Sequence, residues 1–190
     1  ALQEQVAKAL YGKGFRLGQL GRSEDEITVY DELIQRFGTS DAPALQEQVA
    51  MALRNKGVTL GQLGRSEDAI TVYDELIQRF GTNNDPALQE QVAKALYGKG
   101  FRLGQLGRSE DEITVYDELI QRFGTSDAPA LQEQVAMALR NKGVTLGQLG
   151  RSEDAITVYD ELIQRFGTNN DPALQKLVTK VKALRDKEPN

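Results

Sequence analysis

The stretch Leu60-Gly61-Gln62-Leu63-Gly64-Arg65-Ser66-Glu67-Asp68-Ala69-Ile70-Thr71-Val72-Tyr73-Asp74-Glu75-Leu76-Ile77 decides the architecture of this chain. Its spacing predicts the end of one helix at Leu63, a left-handed glycine stop at Gly64, and a second helix opened by Ser66 with acids in its first turn. The stretch occurs four times, from Leu17, Leu60, Leu103 and Leu146, each 43 residues after the last. Only one position within it changes, with Glu26 and Glu112 standing where Ala69 and Ala155 do. A fixed period of this length is the mark of a repeat array, in which each unit buries its apolar face on its neighbours. The expected fold is therefore all-α: a right-handed α-solenoid of four helix-turn-helix repeats, 1–43, 44–86, 87–129 and 130–172, with a capping helix over 173–190. The 190 residues then form a single repeat array.

Outward from that stretch, Ala1 to Leu20 reads as the long first helix. Leu2, Val6, Ala9, Leu10, Lys13, Leu17 and Leu20 share one face at 100° per residue. Gly14 and Gly18 lie at its edge, where each costs about 1 kcal/mol relative to Ala and is best explained by close helix approach. In the second helix Ile27, Tyr30, Leu33, Ile34 and Phe37 hold helical spacing up to Gly38. Ser23 with Glu26, and Ser109 with Glu112, match the capping-box pattern. The linkers Gly38–Pro43 and Gly81–Pro86 read as turns that offer an Asp cap and a Pro for the next helix. The last segment keeps an apolar stripe at Leu174, Leu177, Val178, Val181 and Leu184, but places Lys176, Lys180 and Lys182 where a further neighbour would lie. It reads as a solvating cap, and the opposite end of the stack as the stickier one.

Composition removes several classes of function. There is neither Cys nor His, so disulfides, thiolate chemistry and the commonest metal ligands and general base are missing. Each repeat carries a net charge of about −2 and the last eighteen residues about +3. No basic stripe is present, so nucleic acid is not an expected partner. No apolar run is long enough for a membrane span and no leader pattern opens the chain. The default expectation is a soluble, cytoplasmic protein, trimmed or processed at its first residue. The recurring carboxylates Glu24, Asp25, Asp31 and Glu32 sit in four equivalent surroundings, whereas acid–base catalysis needs two that differ. No enzyme, metal or cofactor is expected.

Residues 1–86 and 87–172 are identical at every position, whereas adjacent 43-residue repeats differ at nine. Duplications drift, so identity over 86 residues points to an engineered or consensus-type chain. Three of the nine lie in the linkers: Ser40, Asp41 and Ala42 against Asn83, Asn84 and Asp85. Five lie on the first helix: Lys8, Tyr11, Gly12, Phe15 and Arg16 against Met51, Arg54, Asn55, Val58 and Thr59. The first four of these fall at i, i+3, i+4, i+7, within about 100° of one another and opposite the core face. The ninth, Glu26 against Ala69, alternates in step with Arg16 against Thr59. Lying five residues either side of Gly21, Arg16 and Glu26 could pair across the hairpin.

The run Leu53-Arg54-Asn55-Lys56-Gly57, then Leu63-Gly64-Arg65-Ser66-Glu67-Asp68-Ala69-Ile70 and Tyr73, resembles the tetratricopeptide repeat. The resemblance covers all four repeats and is closest to a longer class of about 42 residues. The odd repeats depart from the pattern at Gly12 and Gly98, and at Glu26 and Glu112. The resemblance implies a concave face of first helices that receives an extended peptide, with Asn55 and Asn141 matching the Asn that bonds a ligand backbone. The carboxylate-clamp pattern is met only by Asn55 with Lys94.

Two readings of the alternating stripe stand side by side. It packs on the neighbouring repeat's first helix, or it lines a groove formed by Lys8, Tyr11, Gly12, Phe15, Met51, Arg54, Asn55 and Val58 with their copies Lys94, Tyr97, Gly98, Phe101, Met137, Arg140, Asn141 and Val144. In the groove reading the protein is an interaction scaffold for an extended or helical peptide. The groove would span about 35–40 Å at ordinary helix spacing and take roughly ten extended residues. Gly12 would either make room for a ligand side chain between aromatic rings or relieve crowding at Phe15. The competing expectations are self-assembly of a designed repeat protein, with a second copy as partner, and a consensus folding scaffold without ligand.

Overall fold

The computed structural model describes residues 1–188. Within them the chain is helix throughout, α1 Leu2–Gln19, α2 Ser23–Phe37, α3 Pro43–Gln62, α4 Ser66–Phe80, α5 Pro86–Gln105, α6 Ser109–Phe123, α7 Pro129–Gln148, α8 Ser152–Phe166 and α9 Pro172–Arg185. The contacts divide the chain into two compact units, Ala1–Arg102 and the remainder from Leu103. In the first, α1 packs on α2, α3 on α4, and α3 also packs against both α1 and α2. In the second, α7 packs on α6 and α8, and α9 lies against α7 and α8. Consecutive hairpins stacked in this way make an all-α solenoid.

The helix stops follow the sequence reading. Gly21, Gly64, Gly107 and Gly150 are the positive-φ residues of the described chain, at 71–77°. After each, the chain closes a 6→1 and a 5→2 bond: Arg65 N donates to Leu60 O at 2.9 Å and Gly64 N to Gly61 O at 3.2 Å. That pair satisfies carbonyls a helix end would otherwise leave open, and it needs a residue without a Cβ penalty in the left-handed region. The second helices start differently from expectation. Ser23 and Ser66 are already helical, Arg22 and Arg65 occupy the cap position, and no side chain caps either helix. The arginines turn instead onto Asp25 and Asp68, at 2.7 and 2.8 Å. The Ser23–Glu26 capping box does not form because Glu26 is recruited by the next repeat. The linker Asp cap forms at Asp85, whose carboxylate accepts from Ala87 N at 2.9 Å and Leu88 N at 3.2 Å, but not at Asp41, because Ala42 takes the cap position there and no side chain caps the helix.

The core lies where the 3.6-residue period places it, except at the helix stops, where Leu20 and its copies Leu63, Leu106 and Leu149 stay exposed. Tyr30, Leu33, Leu53, Leu76, Leu119 and Leu162 are fully buried. The helical glycines are contact surfaces: a Cβ on Gly57 would stand 2.5 Å from Cε1 of Tyr73, so the tyrosine ring lies directly on the helix backbone. The cap behaves as read, with Leu174, Val178 and Val181 buried and Lys176, Lys180 and Lys182 exposed. The first helix contrasts with its copies, since Leu2 is 80% exposed and Leu45 only 2%.

Neighbouring repeats are stitched by bonds that recur with the period. Lys56 reaches Asp31, Lys99 reaches Asp74 and Lys142 reaches Asp117 at 2.5–2.6 Å. Arg185 of α9 takes the same register against Asp160 at 2.6 Å. Arg79 donates to Gly38 O at 3.2 Å and Arg165 to Gly124 O at 3.3 Å. Each exposed pair is worth about 0–1 kcal/mol, so these bonds fix register more than they stabilise.

Candidate functional site

The alternating positions on the first helices divide into two sets. Asn55 and Thr59 turn into the junction between the first and second repeats. Asn55 is 9% exposed, and its amide nitrogen donates to the hydroxyls of Tyr11 at 2.9 Å and Tyr30 at 3.4 Å. Its carbonyl oxygen accepts from Arg54 at 2.7 Å. The rings of Tyr11 and Tyr30 lie 6.0 Å apart, tilted by 32°. Thr59, also buried, donates to Glu26 Oε2 at 3.0 Å. Arg16, expected to face Glu26 across the hairpin, bonds Gln19 at 2.9 Å instead. The partner of Glu26 is thus 33 residues ahead, on the following repeat.

The second and third repeats meet through a different set. Arg102 stands at the Thr59 register and donates to Gly61 O at 3.2 Å. A Cβ on Gly61 would run into the Arg102 guanidinium, and Ala69 replaces the glutamate that would compete for the same space. Gly98 replaces Asn55, and a Cβ there would stand 2.7 Å from Cζ of Tyr73. At Gly98 the room is taken by the preceding repeat's tyrosine. At Gly12 the same substitution leaves open space.

The other set stays on the open side of the helices. Phe15 is 50% and Phe101 41% exposed, while Tyr11, Met51, Arg54 and Val58 are half-buried. Lys8 is exposed; Lys94, Tyr97, Met137, Arg140, Asn141 and Val144 are half-buried. Lys94 pairs with Glu90 on its own helix, and Arg102 lays its guanidinium 5.2 Å over the Phe101 ring. Arg140 donates to Asn141 at 3.0 Å, repeating the Arg54–Asn55 bond.

Between α1 and α3 these side chains border a cleft of about 340 Å³. Phe15 and Val58 form its apolar sides, Arg54 and Gln62 a polar side, and Glu26 with Thr59 and Asn55 its floor. Gln19, Gly18 and Ser23 close it towards the hairpin turn. Sequence reasoning picks out Phe15, Arg54, Asn55 and Val58. It misses Glu26 and Thr59 as floor residues, although their joint alternation is the available signal. A second cavity of about 330 Å³ lies in the other unit, where the linker Phe123–Asp127 meets Gln132, Val135 and Arg165.

The electrostatics of the junctions repeat the same division. Burial pushes the Glu112 carboxyl above its ordinary value, against hydrogen bonds from Thr145 and Tyr116 that pull it down. Thr145 donates to Glu112 at 3.0 Å, as Thr59 does to Glu26. Burial likewise raises the Tyr30 hydroxyl, with Asn55 opposing, and the Tyr73 hydroxyl, with Arg102 opposing. Among the described residues no cluster of Asp or Glu is placed to hold a metal, and no helix is long and apolar enough to cross a membrane.

A family model for the tetratricopeptide repeat matches residues 51–83 and 137–169, the even-numbered repeats that carry Asn55 and Ala69 or their copies. No curated protein matches the chain. Among solved structures, a Podosopora anserina protein assigned as a kinesin light chain with nearly identical TPR-like repeats is similar in two crystal structures. A single-substitution variant of that protein has a TM-score of 0.66 at 9% identity, covering 98% of this chain and 97% of that one. The unsubstituted protein has a TM-score of 0.63 at 9% identity, covering 97% of each. An engineered protein is similar with a TM-score of 0.52 at 19% identity, over 95% of this chain and 73% of that one. The fold is that of a tetratricopeptide-like repeat solenoid.

Proposed function

We propose that this solenoid is a non-enzymatic interaction scaffold that holds a peptide segment, extended or helical, on the open side of its first helices. Tetratricopeptide repeats are in general protein-interaction scaffolds, which supports the class. The observation that carries the specific reading is Phe15, half exposed on the rim of the α1–α3 cleft. A large apolar side chain kept out of the core, beside a recess with a hydrogen-bonding floor, is the arrangement of a recognition pocket. The ligand side chain it fits is apolar, seated between Phe15 and Val58, with a carbonyl or carboxylate from its backbone or neighbour on Arg54 and Gln62. Asn55, engaged by Tyr11, Tyr30 and Arg54, acts as floor and holds Arg54 in place.

Because the 86-residue block is duplicated, the same side chains occur twice, and a ligand with two equivalent segments suits the chain best. Binding of the two segments would reinforce each other through effective concentration. The test is a displayed peptide library selected on the intact chain. The selected peptide is then measured against Phe15→Ala with Phe101→Ala, two exposed positions whose loss leaves the core intact. Affinity should fall at least about tenfold, as for an aromatic anchor. A library that yields no binder, or a binder indifferent to the double substitution, removes the reading.

A further inference from the structure

The first repeat's outward face and the fourth repeat's far face are two halves of a junction that the chain already builds once. Where the second repeat meets the third, Lys99 bonds Asp74 at 2.6 Å, Arg102 donates to Gly61 O at 3.2 Å, and Gly98 clears the Tyr73 ring. Because residues 1–86 and 87–172 are identical, the α1 face presents the same Lys13, Arg16 and Gly12. All three are exposed, as is Leu2 at a position where Leu88 is buried. The far side of α7 and α8 presents the matching Asp160, Gly147 and Tyr159.

That far side is covered by α9, which fits it less completely than α5 fits the second repeat. Helix α9 has 14 residues against the 20 of α5. Arg185 reproduces the ion pair to Asp160, but Glu188 lies beside Gly147 where the internal junction places an arginine. A carboxylate cannot donate to the glycine carbonyl as Arg102 does. It also replaces a cation by an anion next to the tyrosine: the Tyr159 hydroxyl is pushed up to about 12 by burial and by Glu188.

We infer that α9 is a displaceable latch, and that the α1 face of a second copy competes with it for the far face of the fourth repeat, building head-to-tail oligomers. The interface is heterologous, joining unlike faces, so its product is not a two-fold symmetric dimer. Covalent attachment gives α9 a high effective concentration, so the unaltered chain stays monomeric at micromolar levels. Detaching the latch exposes the joint.

The test uses the full chain, which has no cysteine of its own. Val178→Glu, Val181→Glu and Arg185→Glu together undo α9 docking without shortening the chain. In sedimentation velocity at about 100 μM, below the millimolar effective concentration of a tethered latch, the weight-average mass should at least double over that of the unaltered chain. Adding Lys13→Glu and Arg16→Glu on exposed positions of α1 should return it to the monomer. A latch-broken chain that stays monomeric overturns the inference, and so does assembly indifferent to the α1 charges, which would be unspecific aggregation. A second arm keeps the latch intact: Lys13→Cys with Asp160→Cys, treated with a short bis-maleimide, should trap a ladder of oligomers that Arg16→Glu suppresses. Absence of the ladder overturns it equally.

Discussion

The junction between the first and second repeats and the junction between the second and third are built on the same backbone, by different means. In the first, a buried glutamate, an asparagine and a threonine form a hydrogen-bonded floor: Thr59 to Glu26, Asn55 to Tyr30 and Tyr11. In the second the glutamate is an alanine and the asparagine a glycine, and one long arginine fills the space and bonds the backbone at Gly61. The difference teaches that the alternating residues are complementary sets, not independent choices. Volume added on one side of a junction is removed from the other, as close packing demands.

Mixing the sets should therefore cost more than either set does. The largest effect expected is from Gly98→Asn, which brings the first junction's residue into the second. Its Cβ would meet the buried Tyr73 ring at 2.7 Å, and overpacking of this kind costs about 1–3 kcal/mol. Guanidinium unfolding should show it as a lower midpoint. A midpoint unchanged within error would mean that the two junctions are interchangeable and the comparison is empty. The reciprocal change, Asn55→Gly, removes bonds and adds a helix glycine, each worth about 1 kcal/mol. Combining it with Glu26→Ala and Thr59→Arg completes the second junction's set. That triple variant should recover stability lost by the single change, a non-additivity that neighbours in one network show.

A smaller effect sharpens the comparison by what it fails to distinguish. Lys56 and Lys99 make the same ion pair, to Asp31 and Asp74, in both junctions. Lys56→Ala and Lys99→Ala should each lower stability by less than about 1 kcal/mol, and by equal amounts. If only one responds, the register bond is not common to the two.

The two junctions also mark how far the sequence could be read. Every helix, the glycine stops at Gly21 and Gly64, the Asp85 cap and the polar replacement along α9 follow from local rules acting within a few residues. The cross-repeat partners do not. Arg16 and Glu26 alternate together, as do Glu26 and Thr59, and with a strict period the pairing 10 residues apart and the pairing 33 apart are equally regular. Only the stacking of the hairpins chooses between them. The same degeneracy hides the reason for Gly98, because the ring that needs its space belongs to the previous repeat. It also makes Ser23 and Glu26 read as a capping box, since the pattern is local and the competitor Thr59 is not. Within the candidate site, Phe15, Asn55 and Val58 are legible as one stripe, while Glu26 and Thr59 of the floor are not.

The smallest effect expected has the opposite sign, and it tests whether the glutamate junction carries a penalty that the arginine junction avoids. In the second unit Glu112 occupies the Glu26 position, and burial raises its carboxyl above the ordinary 4.5 while Thr145 and Tyr116 hold the rise back. A carboxyl raised by folding binds its proton more tightly in the native state than in the unfolded one. Its contribution is then fully present below pH 4.5 and is lost as the pH rises through the native value, where the buried group must ionise. Glu112→Gln keeps an oxygen to accept from Thr145 and has no proton to lose. The variant should unfold at a higher denaturant midpoint than the parent at pH 7, and the gap should close as the pH is brought below 4.5. A gap that persists at low pH would assign the gain to packing rather than to charge. A variant less stable at pH 7 would show that the ionised carboxylate, held by Thr145 and Tyr116, is a net asset to the junction.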